Sequence, residues 1–300
     1  MAPITMAAMN IYLQAIVIGI VEGLTEFLPV SSTAHIRFTQ ELLGIPKDDE
    51  YWKMFAVVIQ LGAILSVVAY FWNRLLTFIR DFLSPNSSIE AELSDLKSQR
   101  SVNKIWWQHP LSLVLLAFVV TAVPCFLIDK TIGENLENFT MMSFALIIGG
   151  IAMWLVDVFF SHRATTLEVE QVSWRQAVFI GLSQILAAAF PGTSRSMSTI
   201  AGGQLVGLSR PAALEFSFFL SIPVMFAATL FKLLQFLIKQ PIHLNAQLWM
   251  VLAIGFVTSF FVALAVIAWF MHWVRQKGFT LFAVYRIVAG IAALYWFRKA

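Results

Sequence analysis

The segment Glu22-Gly-Leu-Thr-Glu26-Phe-Leu-Pro29-Val-Ser31-Ser32-Thr33-Ala34-His35 gathers two carboxylates, a run of hydroxyls and an imidazole. Glu22 and Glu26 stand four apart and share one helix face. Like charges there repel, and a solvated cavity, a shared proton or a bound cation would relieve them. Pro29 ends that helix, and Ser31, Ser32 and Thr33 can cap the next one. The free N–H groups at such a helix start make an anion site. His35 lies about one turn further in. A second cluster reads Pro191-Gly192-Thr193-Ser194-Arg195-Ser196-Met197-Ser198-Thr199. Gly192 permits a tight turn or close approach to a ligand, and Arg195 offers a planar fork suited to phosphate oxygens.

Each cluster has a bland explanation. Ser-Ser-Thr after a proline is commonly a helix cap, a His in an apolar region is commonly a satisfied core residue, and an Arg can be spent on a backbone carbonyl. The combination points further, because ionisable groups inside a membrane are functional by default. If the two turns meet, the chemistry is phosphoryl transfer. Glu22 and Glu26 would hold a divalent cation. Arg195 and helix N–H groups, with Ser31, Thr33, Ser194, Ser196 and Thr199, would bind phosphate oxygens. Ser32 would attack phosphorus, with His35 or a glutamate as general base.

The elements that must position these residues follow from composition. Of 300 residues, 59% are hydrophobic and 12% charged, against about 25% charged in a soluble domain. Lipid must therefore be the solvent for much of the chain. A net charge of +3 suits Lys/Arg-rich loops, and no basic block is dense enough for nucleic acid. Cys125 is the sole cysteine, which excludes an internal disulfide or a cysteine metal site and reads as a small buried hydrophobe. The first ten residues carry no Lys or Arg, so no cleavable signal peptide is expected.

Six segments approach the roughly 20 apolar residues of a span: 54–72, 111–128, 141–160, 213–238, 248–271 and 281–297. Two apolar segments fail that test. One starts at Ile11 and meets Glu22, Glu26 and Pro29; the other runs from Gln176 to Phe190 and breaks at Pro191-Gly192. Each is followed by a short amphiphilic stretch, 33–43 and 196–208, so each reads as a re-entrant helical hairpin. The hairpins repeat. Placing Pro29 on Pro191, an offset of 162, sets Gly19 on Gly181, Glu22 on Gln184 and Ser32 on Ser194; an offset of 161 sets Phe55-Ala-Val-Val-Ile-Gln on Phe216-Ser-Phe-Phe-Leu-Ser. The expected fold is an all-α integral membrane protein with an inverted-topology repeat, each half one re-entrant hairpin plus three transmembrane helices. It forms a single polytopic domain over 1–300, its halves being about 11–128 plus the span 141–160, and 174–298.

The stretch 81–107 is the long polar one, expected as a solvated loop with a short surface helix near Ile105-Trp106-Trp107. Loops 73–107, 161–175 and 272–280 carry Arg74, Arg80, Lys97, Arg100, Lys104, Arg163, Arg175, Arg275 and Lys277; the opposite set carries Lys47, Lys53, Lys130, Lys239, Arg298 and Lys299. The first set is expected to be cytoplasmic, which turns the mouth of the first hairpin outward. The pairing of Asp157, Glu215, Lys232 and Arg286, in or near spans, is left open by the sequence.

The motifs EGLTEFLPVSSTAH and PGTSRSMST together resemble the two signatures of the bacitracin-resistance type undecaprenyl-diphosphate phosphatases. Phe55–Leu65, Glu215–Pro223 and Tyr285-Arg286 also look like segments of that family, so the resemblance covers nearly the whole chain. It implies hydrolysis of undecaprenyl diphosphate to undecaprenyl phosphate and inorganic phosphate, recycling the carrier for cell-wall synthesis at the outer face of the bacterial plasma membrane. It also implies a divalent cation, Mg²⁺ or Ca²⁺; interlocking re-entrant hairpins; and roles for Glu22, Glu26, Ser32, His35, Ser194, Arg195 and Thr199. The expected partners are the polyprenyl diphosphate lipid and the bilayer; a homodimer is compatible with the sequence. Two positions depart from the family pattern, Ala34 and Met197 standing where Gly is usual, with Met197 expected beside the phosphate site. The type 2 phosphatidate phosphatase-like enzymes need a second His several residues after Ser-Arg, whereas the next His here is His243. A polyprenyl-phosphate transporter is the alternative, since an inverted repeat suits it equally.

Overall fold

The computed structural model describes residues 10–46, 48–83, 106–132, 138–239 and 245–297, side chains of 106, 128–132, 237 and 239 excepted. Asn10, whose side chain caps the backbone N–H of Tyr12, opens α1 (Ile11–Thr25). The chain turns at Glu26–Ser31 and continues as α2 (Ser32–Leu42), α3 (Glu50–Tyr70), α4 (Trp72–Leu83), α5 (Pro110–Ile132) and α6 (Phe139–Phe160). It then forms α7 (Trp174–Ala189), a second turn, α8 (Arg195–Leu205), α9 (Arg210–Lys239), α10 (Ala246–Lys277) and α11 (Thr280–Phe297). Among the described residues there is no β-strand, only an isolated bridge between Thr166 and Leu208.

Six of these helices, α3, α5, α6, α9, α10 and α11, are long and apolar enough to cross a membrane. They coincide with the six expected spans. The helix α1 has 15 residues and α7 has 16. At 1.5 Å per residue each reaches about 22–24 Å, short of a hydrocarbon core of about 30 Å.

The distribution of polarity is that of a lipid-solvated protein. Tyr295, Ile238 and Leu127 are more than three-quarters exposed, while Arg286, Glu22 and Asp157 are fully buried. Glycines let helices approach closely, as in membrane bundles. Gly19 on α1 faces the backbone of Gly255 on α10, and Gly181 on α7 faces the backbone of Ala117 on α5. Each short helix pair thus leans on a long helix of the other half of the sequence.

The residues whose pairing the sequence left open find partners. Asp157 accepts from Arg210 at 2.7 and 3.0 Å, from Gln204 at 3.1 Å and from the Phe279 backbone N–H at 3.1 Å. Glu215 pairs with Arg74 at 2.7 Å, and Arg74 also binds Glu170 at 2.7 Å. Lys232 lines a cavity, and Arg286 binds backbone carbonyls.

One expectation is corrected. Residues 73–83, placed in a loop, form α4. Phe78 is buried there and packs edge-on against Phe219 at 5.6 Å, so α4 is anchored by a buried ring as well as by the Arg74 ion pairs. The short helix near Trp106 is one 3-10 turn, Trp106–Gln108. The rest of the expected polar loop, 84–105, lies outside the described residues, as do Lys47, Lys97, Arg100, Lys104, Arg298 and Lys299 of the orientation count.

Candidate functional site

Both turns end in the same backbone device. Ser31 caps α2 with φ 75°, and Ser194 caps α8 with φ 77°. Positive φ is strained for a residue with a Cβ, and such strain clusters at functional sites. Each serine Oγ accepts from the backbone N–H three residues on, Ala34 at 3.5 Å and Met197 at 3.3 Å. The cap equivalence is therefore Ser31 with Ser194, not Ser32 with Ser194 as the proline register suggests. Gly192 is the extra residue. Its φ is +93°, and a Cβ there would meet Met142 backbone atoms at 2.7 and 2.8 Å, so conformation and space both require glycine.

The turns touch. Ser196 Oγ donates to Leu28 O at 2.9 Å. Arg195 Nη2 reaches Glu26 Oε1 at 3.3 Å, Nη1 donates to Ser217 O at 3.2 Å, and the guanidinium lies 5.9 Å over the Phe27 ring. The fully buried Arg286 straps the assembly together. It donates to Pro29 O of the first turn at 3.0 Å, to Thr193 O and Gly192 O of the second at 2.9 and 3.2 Å, and to Ala145 O on α6 at 3.1 Å. Five donors in a rigid fork make Arg the side chain able to serve this many carbonyls.

At the junction, Ser32 Oγ donates to Glu26 Oε2 at 2.5 Å. That pairing of hydroxyl and carboxylate is the geometry of an activated nucleophile. His35 does not take this part. Its Nδ1 is 2.7 Å from Ser31 O and its Nε2 is 2.7 Å from the Tyr285 hydroxyl. Of the two general-base candidates, the glutamate stands against Ser32.

A cavity of about 680 Å³ opens on the junction. Its polar end is formed by Glu26, Ser31, Ser32, Thr33, Ser194 and Arg195; its long wall is apolar, including Phe118 and Phe126 of α5 and Val224 and Phe231 of α9. Ser196 and Thr199, expected as phosphate ligands, do not line it. Ser196 is used on Leu28, and Thr199 Oγ1 binds Arg195 O at 3.0 Å and Ser217 Oγ at 2.6 Å. They hold the turn. Met197, expected beside the phosphate site, is buried in the main apolar core with its Cε against Gly149. Ala34 is fully buried in a cluster with Met142 and Leu146.

Glu22 is fully buried, and neither of its carboxylate oxygens has a hydrogen-bond partner. A carboxylate left so is costly. With Glu26 one turn away it offers a cation two hard oxygen donors. Among the described residues no group of three His, Cys, Asp or Glu side chains comes together. Two carboxylates, with substrate phosphates supplying the rest, is nevertheless an ordinary Mg²⁺ arrangement, so these residues fit the ion.

Sequence reading missed Gln60, Thr121 and Gln184 in the cavity wall, and Tyr285 on His35. Gln184 had a signal in its match to Glu22 in the repeat, and Gln60 and Tyr285 lay in segments that resemble the family; Thr121 had none.

The family described as bacitracin resistance protein BacA matches residues 15–292. The undecaprenyl-diphosphatase of Koribacter versatilis (strain Ellin345) is 52% identical over 299 residues, covering 97% of this chain and 100% of that protein. Those of Aquifex aeolicus (strain VF5) and Deinococcus radiodurans are 40% and 38% identical, over 93% and 94% of this chain and 95% and 94% of theirs.

Proposed function

We propose, for a chain that belongs to the bacitracin resistance protein BacA family, a division of labour between its two turns in the cleavage of a lipid diphosphate. The chain is a membrane-embedded undecaprenyl-diphosphatase. It hydrolyses undecaprenyl diphosphate to undecaprenyl phosphate and inorganic phosphate, which returns the carrier lipid to cell-wall synthesis. The observation that carries the reading is the short Ser32–Glu26 hydrogen bond facing Arg195 across the junction of the turns.

In the proposed reaction Glu26 takes the Ser32 proton as Oγ attacks the terminal phosphorus. The bond from that phosphorus to the bridging oxygen breaks, and undecaprenyl phosphate leaves with the proton that Glu26 had taken. The freed Glu26 carboxylate then deprotonates water as it attacks the phosphoserine; the bond from phosphorus to Oγ breaks, Oγ takes that proton back from Glu26, and inorganic phosphate leaves. Arg195 and the N-terminal N–H groups of α2 and α8 hold the phosphoryl oxygens, aided by Ser31, Thr33 and Ser194. Mg²⁺ or Ca²⁺ would be held by Glu22 and Glu26 and would neutralise phosphate charge. His35, bound to Ser31 O and Tyr285, fixes the first turn rather than moving the proton.

The same reading makes the two short helix pairs re-entrant hairpins of an inverted repeat. Their lengths fall short of a span, and each packs on the other half. The site then faces outward from the plasma membrane, as the Lys/Arg distribution between loops favours, and a homodimer is compatible with the apolar exterior. The test is phosphate release from a prenyl diphosphate by purified protein in detergent, with and without EDTA. Release that EDTA abolishes and Mg²⁺ or Ca²⁺ restores is expected. No release at any cation concentration would overturn the phosphatase reading.

A further inference from the structure

One buried polar side chain in the cavity wall, outside the residues just assigned, has no partner at all. Gln184 on α7 is 3% exposed and lines the cavity, yet neither its Oε1 nor its Nε2 has a hydrogen-bond partner in the protein. Burying an unmet polar group is costly, and native folds leave few of them. The polar groups around it are served. Thr121 Oγ1 donates to Ala117 O and Gly181 O, and Ser183 Oγ donates to Ile180 O. The close approach of α7 to α5 falls one turn earlier, where Gly181 faces the Ala117 backbone.

Its place mirrors that of Glu22. Each lies seven residues ahead of its turn proline, Pro29 or Pro191, and each has both terminal atoms unpartnered. The anionic member suits a cation. The neutral member has N–H donors and suits an anion. The cavity it faces is built for one, since Arg195 and Lys232 line it against the single carboxylate of Glu26. A neutral amide adds a donor there without the desolvation cost of another charge.

We propose that Gln184 is a substrate-binding residue, its Nε2 donating to a non-bridging oxygen of the lipid diphosphate in the cavity. The proposal rests on the phosphatase reading above. A contact made in both the bound state and the transition state raises KM when removed and leaves kcat nearly unchanged. A hydrogen bond to a charged group corresponds to roughly tenfold or more in affinity.

The experiment compares Gln184→Leu and Gln184→Glu with the unaltered protein in detergent. It measures kcat and KM for farnesyl diphosphate, the Kd of a non-hydrolysable prenyl bisphosphonate, and the melting temperature. Gln184→Leu is expected to raise KM and the analogue Kd about tenfold, with kcat within about threefold. Gln184→Glu keeps size and polarity, so it serves if the leucine variant does not fold; its charge should weaken analogue binding at least as much. Analogue binding within twofold of the unaltered protein in either folded variant overturns the assignment. Absence of phosphate release by the unaltered protein would instead sink the phosphatase reading, so the two failures are distinct.

Discussion

The two turns share a backbone and differ in cargo. Both follow a short helix and contain a proline, both place a serine at positive φ (75° and 77°) as an N-cap, and both start an 11-residue helix at the cavity. The first carries a carboxylate on a hydroxyl, Glu26 on Ser32. The second carries a guanidinium, an extra glycine and Ser196 turned inward to hold the partner turn. Duplicated geometry with divided chemistry is an economical way to assemble a phosphoryl-transfer site. In the proposed reaction one copy supplies the nucleophile and its base, the other supplies the grip on charge, and neither would suffice alone.

The comparison breaks most visibly at Ser32. Ser32→Ala should cut kcat on the order of a thousandfold, as removing a nucleophile does, with folding intact because only the bond to Glu26 is lost. A variant that keeps most of its rate would assign the attack to water. Arg195→Lys comes next, at roughly a hundredfold in kcat/KM. A point charge cannot reproduce a fork that reaches both Glu26 and Ser217 while presenting donors to phosphate. Arg286→Met keeps bulk but releases the carbonyls of both turns. It should lower kcat about tenfold and the melting temperature by roughly 5–10 °C. Unchanged values would mean the turns hold themselves. Tyr285→Phe removes one hydrogen bond to His35 and should change kcat by no more than about threefold; a loss as large as that of Ser32→Ala would return the proton to the histidine.

Much of this was legible in the chain. The six long helices follow from runs of apolar residues, and the two interrupted segments announced themselves by carrying Glu22, Pro29 and Pro191-Gly192 inside apolar context. What sequence spacing does not encode is direction. His35 and Ser32 are three apart and look like a pair, yet His35 points at Ser31 O and at Tyr285, 250 residues away. Ser196 and Thr199 have the right type and place, but their hydroxyls are consumed by Leu28, Arg195 and Ser217. Met197 stands in the motif and packs into the core behind it. Helix α4 was hidden because its anchors, Phe219 and Glu215, come from a helix more than a hundred residues on. The one-residue slip between Ser32 and Ser31 as the partner of Ser194 arose from Gly192, an insertion that only the cap geometry exposes.

Binding without turnover tests the division most directly. Calorimetric titration of the non-hydrolysable prenyl bisphosphonate, with Mg²⁺ present, separates grip from attack. Ser32→Ala should bind it within about threefold of the unaltered protein, and Arg195→Met at least tenfold more weakly. The reverse pattern, binding lost with Ser32 and kept without Arg195, would contradict the assignment of chemistry to the first turn and grip to the second.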